Sequence, residues 1–316
     1  MPARPPKPPR RSRSVAVVAV VLATLAPAGA AWADPAGFAF LEVPAGARAS
    51  AMAGAYMSVG EGASAAWWDP AGLATVQRVE IAGSHYEFLQ HLRHDQFVMA
   101  GPLWGGGTAL SLRAMYSEPI VSRDELGNET GSFGSNDLEF MLAHGGNWGG
   151  GWRGGGSFQV LHERIDFSST TTWAVNGGLT YDPPARKAMR LALAVQNLGP
   201  AGKYGLDDGV KGDPVPLPLA LQGGGSYRWG LGGDWRLVGA FEGRATRGRD
   251  GVGLLGAELA EGHGAALRAG WRVNDPTLSW TLGMGWTVGG LTLDYAFVPF
   301  KLDLGDTHRL SFEARF

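Results

Sequence analysis

Three histidines, His85, His91 and His94, lie close together in the chain, and imidazole nitrogens are common ligands of zinc. Their spacing lacks the close, ordered pairs of a zinc site, and the chain has no cysteine that could complete one. We therefore predict that these three side chains lie at the surface and bind no metal.

A second group of possible ligands is acidic, because Asp207, Asp208 and Asp213 could offer carboxylate oxygens to calcium. A solvated loop explains the same residues, and it is the interpretation that we favour. The sequence predicts no metal site and no cofactor.

Serine activated by histidine and an acid could hydrolyse or transfer acyl chains. Serine and histidine are both present, but the sequence contains no nucleophile motif with an activating context. We predict no catalytic residues and no enzymatic activity.

Residues 46–73 differ from the rest of the chain because they are rich in Ala, Gly and Ser and lack alternation of polar and apolar residues. Ala47, Ala51, Gly54 and Ala55 recur at roughly helical spacing, which favours a short helix packed close to other backbone. We expect this compact element inside whatever the strands enclose, or across its mouth.

Six consecutive residues near the end of this stretch form the candidate site: Trp67, Trp68, Asp69, Pro70, Ala71 and Gly72. Asp69 can cap a helical turn that begins at Pro70, and Gly72 gives the freedom to leave that turn. A cap is the favoured role of Asp69, with a ligand or gate residue as the alternative. The two tryptophans are expected to pack against the surrounding wall rather than to stack on a substrate.

Residues 1–33 have the features of a signal peptide. Five basic residues precede the apolar run 15–25, which is too short to span a bilayer as a helix. Ala31-Trp32-Ala33 fits the small-x-small cleavage pattern, so the mature chain is expected to begin at Asp34 and to act outside the cytoplasm.

Composition narrows the class of protein. The chain has 50 Gly and 12 Trp among 316 residues, which fits neither a disordered tail nor a helical bundle. Its net charge of −2 argues against nucleic acid as a partner. Since no other stretch approaches the apolar length of a membrane helix, membrane insertion would require a closed barrel.

Alternation of apolar and polar residues dominates the second half of the chain, as in Trp280, Leu282, Met284 and Trp286. A soluble β-sandwich would bury the apolar face against a second sheet, whereas a membrane barrel would turn it to lipid. Alternation alone leaves both possibilities open.

The count and spacing of the strands favour the barrel. We predict about fourteen strands, an even number, as in bacterial outer-membrane barrels. Short Gly-rich connections follow the second, fourth, eighth, tenth and twelfth strands, and the three longest connections, 118–135, 198–216 and 298–308, follow odd ones. This parity matches short periplasmic turns and long outer loops.

Several motifs, spread in order over the mature chain, resemble those of the PorV/PorQ family of outer-membrane proteins, which is related to the FadL fatty acid transporters. They lie in residues 43–73, with GARASAMAGAY and DPAGL, and in 195–200, 216–218, 267–270, 294–297 and 304–309. The resemblance implies an all-β, fourteen-stranded transmembrane antiparallel barrel whose N-terminal segment is a hatch, a plug within the lumen. Relatives usually carry Asn where this chain has Asp69, and they use a terminal aromatic, here Phe316, as an assembly signal.

These expectations divide the chain into a signal peptide (1–33), a hatch (34–75) and an outer-membrane barrel (76–316). The resemblance favours a secretion component that handles surface proteins, as PorV does in type IX secretion. The alternative is a FadL-like passive conduit for hydrophobic small molecules, and a purely structural barrel is a third interpretation. The expected partners are outer-membrane lipid, the barrel assembly machinery, and either secreted cargo or a hydrophobic ligand.

Overall fold

A computed structural model describes residues 37–87, 92–205, 210–302 and 305–316. The predicted signal peptide and cleavage site, His91, Asp207 and Asp208 lie outside these residues. Four short helical elements precede the strands, namely Ala39–Glu42, Ala47–Ala51, Ala63–Trp67 and Pro70–Thr75, of which Ala47–Ala51 is α-helical and the others are 3₁₀.

Most of the other described residues lie in β-strands. The strands are β1 (Glu80–Glu87), β2 (Leu92–Leu103), β3 (Gly106–Ser117), β4 (Ile120–Arg123), β5 (Glu129–Phe133), β6 (Ser135–Gly149), β7 (Trp152–Ile165), β8 (Ser168–Tyr181), β9 (Met189–Leu198), β10 (Gly202–Gly205), β11 (Lys211–Val215), β12 (Ala220–Gly232), β13 (Trp235–Thr246), β14 (Val252–Glu261), β15 (Ala265–Val273), β16 (Trp280–Val288), β17 (Leu291–Pro299) and β18 (Asp306–Arg315).

Fourteen of the described strands form a closed antiparallel barrel. Each pairs with its neighbours along the chain, and β18 pairs with β1, for example Ile81 opposite Ala314. The other four strands form hairpins in long connections: β4 pairs with β5, and β10 with β11. The predicted all-β, fourteen-stranded antiparallel barrel is therefore confirmed.

Successive side chains of each barrel strand point alternately to the outer and the inner face. In β16, Leu282, Met284 and Trp286 are exposed on the outer face, whereas Thr281 is buried on the inner face. This is the reverse of a water-soluble protein, and a surface with so many exposed apolar side chains is stable in lipid. The soluble-sandwich interpretation is excluded, and the barrel belongs in the outer membrane.

Most of the exposed tryptophans lie toward the two ends of the barrel, as expected where a membrane barrel crosses the two interfaces. At the end with the short turns they are Trp104, Trp148, Trp152, Trp229, Trp235 and Trp286. At the opposite end they are Trp271 and Trp280, and Phe167 is also exposed there.

The connections largely follow the predicted parity. The hairpins β4–β5 and β10–β11 lie in the connections after the third and seventh barrel strands, on the side assigned to the outside. Two connections depart from it: Asp166–Phe167 is a tight turn on the outer side, and residues 182–188 form a longer inner turn. In that inner turn Asp182 binds Arg153 and Arg190, so side-chain ion pairs hold it together.

The pairing of β8 with β9 is interrupted. Its register shifts between Val175 and Gly177, and beyond that point the edge of β8 that faces away from β7 pairs with β10, through Ser169 and Gly205. Buried apolar residues cover this interruption from within: Phe38, Phe40, Leu41, Met115, Leu161, Ala174 and Leu217.

Within the described parts of the chain, no helix is long and apolar enough to cross a bilayer.

Candidate functional site

The candidate site is the contact surface between residues 37–76, here called the N-terminal segment, and the inner face of the barrel. Hydrogen bonds or packing contacts join this segment to all fourteen barrel strands described above. The largest apolar cluster of the protein, which includes Met52, Tyr56, Trp67, Trp68 and Val98, lies at this surface. The segment therefore fixes the positions of inner-face side chains on every side of the barrel.

The Asp-Pro turn has the geometry that the sequence predicts. Pro70 occupies the first turn of the helix Pro70–Thr75, and Asp69 is its N-cap. The Oδ1 atom of Asp69 accepts the Ala71 N–H at 2.8 Å, and Oδ2 accepts the Thr180 hydroxyl of β8 at 3.0 Å. Asp69 thus caps its own turn and also attaches that turn to the wall.

Burial changes the acidity of this cap. Removal from water is the largest effect, and it raises the pKa of Asp69 from 3.8 to about 6, against the opposing effect of the two hydrogen bonds. A buried carboxylate needs hydrogen-bond donors. The turn supplies one N–H, a threonine hydroxyl supplies the second donor, and no arginine bonds to it within the described residues.

A row of four inner-face glycines receives this turn, and the sequence analysis did not identify it. Gly107, Gly145, Gly155 and Gly178 are direct cross-strand partners on β3, β6, β7 and β8. A methyl group on any of them would overlap the backbone of the turn or the Asp69 carboxylate. The four glycines allow the turn to approach the wall at backbone distance.

Both tryptophans are buried and hydrogen-bonded. The Trp67 indole N–H donates to the Ser111 hydroxyl of β3 at 2.7 Å, and the Trp68 indole N–H donates to the Ala45 carbonyl at 3.1 Å. Trp68 also meets Tyr56 edge to face, with ring centroids 5.9 Å apart. These contacts agree with packing rather than with an exposed stacking surface.

A chain of ion pairs links the segment to the opposite wall. Arg48 forms a bidentate pair with Glu258 of β14, with N–O distances of 2.7 and 2.8 Å. Arg268 of β15 contacts the same carboxylate at 2.7 Å and reaches Asp294 of β17, also at 2.7 Å. This series of ion pairs contains two arginines and two carboxylates, so its charges balance, as a buried network requires.

Two further carboxylates hold the middle of the segment. Glu242 of β13 accepts the backbone N–H and the hydroxyl of Ser58, and Gln222 donates to its other oxygen. Glu61 of the segment pairs with Arg190 and Arg228. Burial alone would raise the pKa of Glu61, but these two arginines outweigh it and lower the pKa to about 2.

The contact surface leaves little free space. A cavity of about 30 Å³ lies beside Trp67 and Trp68, with Arg113, Glu139 and Asn176 in its polar lining. A second cavity of about 20 Å³ lies on the other side of Trp67. Each has room for about one or two water molecules, and passage of a larger molecule would require the segment to move.

One prediction about the histidines is wrong. His94 is fully buried, and its ring bonds to the Tyr86 hydroxyl, whereas His85 is exposed as expected. Strand β2 begins at Leu92, so His94 falls within its alternation and points inward.

Phe316 follows the last strand and lies at the seam of the barrel. Its backbone N–H donates to the Val79 carbonyl at 2.9 Å, and its ring is 71% exposed. Its predicted role as an assembly signal stays a prediction.

Comparison with solved structures identifies barrels of the same architecture. No protein-family model matches the chain, and neither does any curated protein sequence. The toluene transporter TbuX of Ralstonia pickettii aligns at a TM-score of 0.58 with 14% identity, over 86% of this chain and 98% of its own. The toluene transporter TodX of Pseudomonas putida aligns at 0.57 with 11% identity, over 90% and 98%.

A FadL homologue from Pseudomonas aeruginosa gives a TM-score of 0.51 at 11% identity, over 91% of this chain and all of its own. At such identities the similarity establishes a shared fold. The resemblance to PorV and PorQ rests on the sequence motifs alone.

Proposed function

We propose that this protein is a passive outer-membrane channel for small hydrophobic molecules, and that residues 34–75 form its hatch. The observation that carries the proposal is that the N-terminal segment contacts every described barrel strand, with small cavities of about 30 and 20 Å³ beside it. A segment so placed would close the lumen at rest. Two of the similar solved structures are toluene transporters, which supports this class of permeant.

The gate would work by displacement of the segment. Apolar side chains of the segment and of the wall meet in two clusters, Phe38 and Phe40 with Leu161, and Trp67 and Trp68 with Val98. A hydrophobic molecule that entered from outside could bind these side chains as the segment moved. The interrupted pairing of β8 and β9 is our candidate exit through the wall, because few backbone hydrogen bonds would have to break there.

The secretion interpretation has weaker support. It depends on motif resemblance, whereas the solved structures favour the conduit. Among the described residues, the outer connections carry two short hairpins, β4–β5 and β10–β11, which is a small surface for a folded cargo protein.

A reversible cross-link tests the gate. The chain has no cysteine, so Ala55→Cys with Gly256→Cys introduces a single pair. A Cβ atom at Gly256 would lie 3.1 Å from that of Ala55, slightly closer than a disulfide prefers, so a small shift would allow the bond. Oxidation would attach the segment to β14.

We expect cells that depend on this channel to take up toluene when the pair is reduced and to lose that uptake when it is oxidised. Each single cysteine variant is the control, because neither can form the bond. Equal uptake in both redox states would refute the moving hatch. No uptake in either state, with barrel assembled, would instead refute the class of permeant.

A further inference from the structure

Most acidic side chains that point into the barrel are balanced by arginine, as Glu258 and Asp294 are by Arg268. One pair is different. Asp137 of β6 and Glu163 of β7 are direct cross-strand partners on the inner face, near the outer end of the barrel. No described Lys, Arg or His forms an ion pair with either of them. Like charges directly opposite one another are destabilising, so a compensating cation is expected.

Unpartnered buried oxygens converge on this pair. Glu163 is 8% exposed and its Oε2 has no hydrogen-bond partner, and the Oδ1 atom of Asp137 has none either. Thr170 of β8 is the cross-strand partner of Glu163, on its other side, and is 4% exposed. Its hydroxyl is also unpartnered, although it could donate to a neighbour if one were in place.

The residues around Asp137 and Glu163 separate the pair from the arginine side chains of the inner face. Met115 of β3 is the cross-strand partner of Asp137, and Leu161 lies one inner position below Glu163, so apolar side chains separate the pair from the arginines deeper in the barrel. Arg113, the nearest of these along β3, contacts Glu139 at 3.0 Å. From above, the Tyr204 hydroxyl of β10 donates to Glu163 Oε1 at 2.6 Å, which leaves Oε2 directed elsewhere.

We propose that Asp137, Glu163 and Thr170 bind one calcium ion at the outer rim of the barrel. Two carboxylates and a hydroxyl are hard oxygen ligands of the kind that Ca²⁺ prefers, and water would complete its six to eight positions. No third described His, Asp or Glu joins them. The site should therefore be weak, with a dissociation constant of about 10⁻⁴–10⁻³ M, as in extracellular calcium modules. Mg²⁺ should bind less well because it demands a near-ideal octahedron.

The bound ion would join β6, β7 and β8 in the outer part of the barrel, where β8 no longer pairs with β9. Through Tyr204 it would also hold the hairpin β10–β11 over this part of the rim. The proposal concerns the stability of the rim and does not depend on what the channel carries.

Titration of the full mature protein in detergent, after removal of metals with EDTA, tests the site. We expect CaCl₂ to bind at one saturable site by calorimetry and to raise the thermal unfolding midpoint by a few degrees. Asp137→Asn and Glu163→Gln should each weaken Ca²⁺ binding at least about tenfold, since each removes a charged ligand. Glu129→Gln is the matched control, because it removes an exposed rim carboxylate that pairs with Arg123 outside the cluster, and it should leave Ca²⁺ binding unchanged.

A second measurement distinguishes the loss of a Ca²⁺ ligand from a general loss of stability. In EDTA, Asp137→Asn should unfold at a higher temperature than the unmodified protein, because the repulsion with Glu163 is gone. In CaCl₂ the order should reverse. If Glu163→Gln fails to assemble, Thr170→Val removes a ligand with little change of shape, and it should weaken Ca²⁺ binding several-fold.

Two results would overturn the proposal. One is the absence of saturable Ca²⁺ binding by the unmodified protein at concentrations of about 10 mM, tenfold above the weakest affinity expected. The other is equal Ca²⁺ binding by the unmodified protein and by the Asp137 and Glu163 variants, which would place the ion elsewhere.

Discussion

At the scale of single residues, Asp69 combines a structural and an electrostatic role. It caps the helix Pro70–Thr75 and accepts the Thr180 hydroxyl, yet burial raises its pKa to about 6. Because the pKa in the folded state is above that in the unfolded state, protonation of Asp69 favours the folded arrangement. This contribution is complete below about pH 4 and is lost as the pH rises through about 6.

Asp69→Asn should therefore remove a pH dependence from the attachment of the segment. The amide oxygen can still accept the Ala71 N–H, but no charge remains to be buried. Between about pH 4 and about pH 7, the difference in free energy of opening between the two proteins should change by up to about 3 kcal/mol. Hydrogen exchange of the segment against pH measures this. Parallel pH profiles for the two proteins would contradict it.

Met284 represents the outer face of the barrel at a single position. It lies in the middle of β16 and is 55% exposed, between Leu282 and Trp286. Met284→Arg would place a charge against lipid and should lower the free energy of unfolding by about 2–4 kcal/mol. Urea titration of the protein folded into lipid vesicles measures the loss. Met284→Leu is the control and should cost less than about 1.5 kcal/mol. Equal stability of the Arg and Leu variants would mean that this face does not meet lipid.

At the scale of elements, the glycine row on β3, β6, β7 and β8 determines how closely the Asp-Pro turn approaches the wall. Gly177 and Gly178 are neighbours on β8, so a side chain at one would point to the opposite face of the strand from a side chain at the other. A methyl group at Gly178 would overlap the Asp69 carboxylate, whereas one at Gly177 would meet nothing within 4 Å.

We expect Gly178→Ala to displace the turn while the barrel still assembles, and Gly177→Ala to have no such effect. Protease cleavage within the N-terminal segment should be faster for Gly178→Ala, and heat-modifiability on a denaturing gel should be the same for both. If the two variants are cleaved equally slowly, the turn does not depend on the glycine row.

Phe316, directly after the closing strand β18, is predicted to act as an assembly signal. Phe316 donates its N–H to Val79 at the seam with β1, and its exposed ring is available to another protein. Deletion of Phe316 should lower the amount of assembled barrel without a change in transcript, whereas Phe316→Trp should preserve it. Equal amounts of heat-modifiable protein after deletion would show that the terminal aromatic is not an assembly signal.

At the scale of the whole molecule, the barrel closes through its own strand pairing, and the N-terminal segment fills the space between inner-face side chains. Removal of residues 46–73 breaks none of the backbone pairs between barrel strands. It would expose Glu242, Glu258 and other inner-face charges to water, which solvates them.

We therefore expect the deleted protein to assemble and to form a wide, ion-conducting pore. Single-channel conductance in planar bilayers should be low for the intact protein and large for the deletion. If both proteins conduct equally, the segment is not a plug and the proposed gate fails.

The all-β class and the approximate number of barrel strands follow from the amino-acid sequence alone. The reason is that a two-residue period, such as that from Trp280 to Trp286, has only one regular structure, and turn residues mark its ends. The sequence also determined the capped turn at Asp69-Pro70, because a cap depends on residues that are adjacent in the chain.

Which residue lies opposite each inner-face side chain depends on the tertiary structure. The burial of His94, the partners of Arg48 and the row formed by Gly107, Gly145, Gly155 and Gly178 all depend on register between strands. Register is set by pairing between residues far apart in the chain, and a shift of one residue would turn every side chain to the other face. For the same reason, the proximity of Asp137, Glu163 and Thr170 depends on the register between β6, β7 and β8.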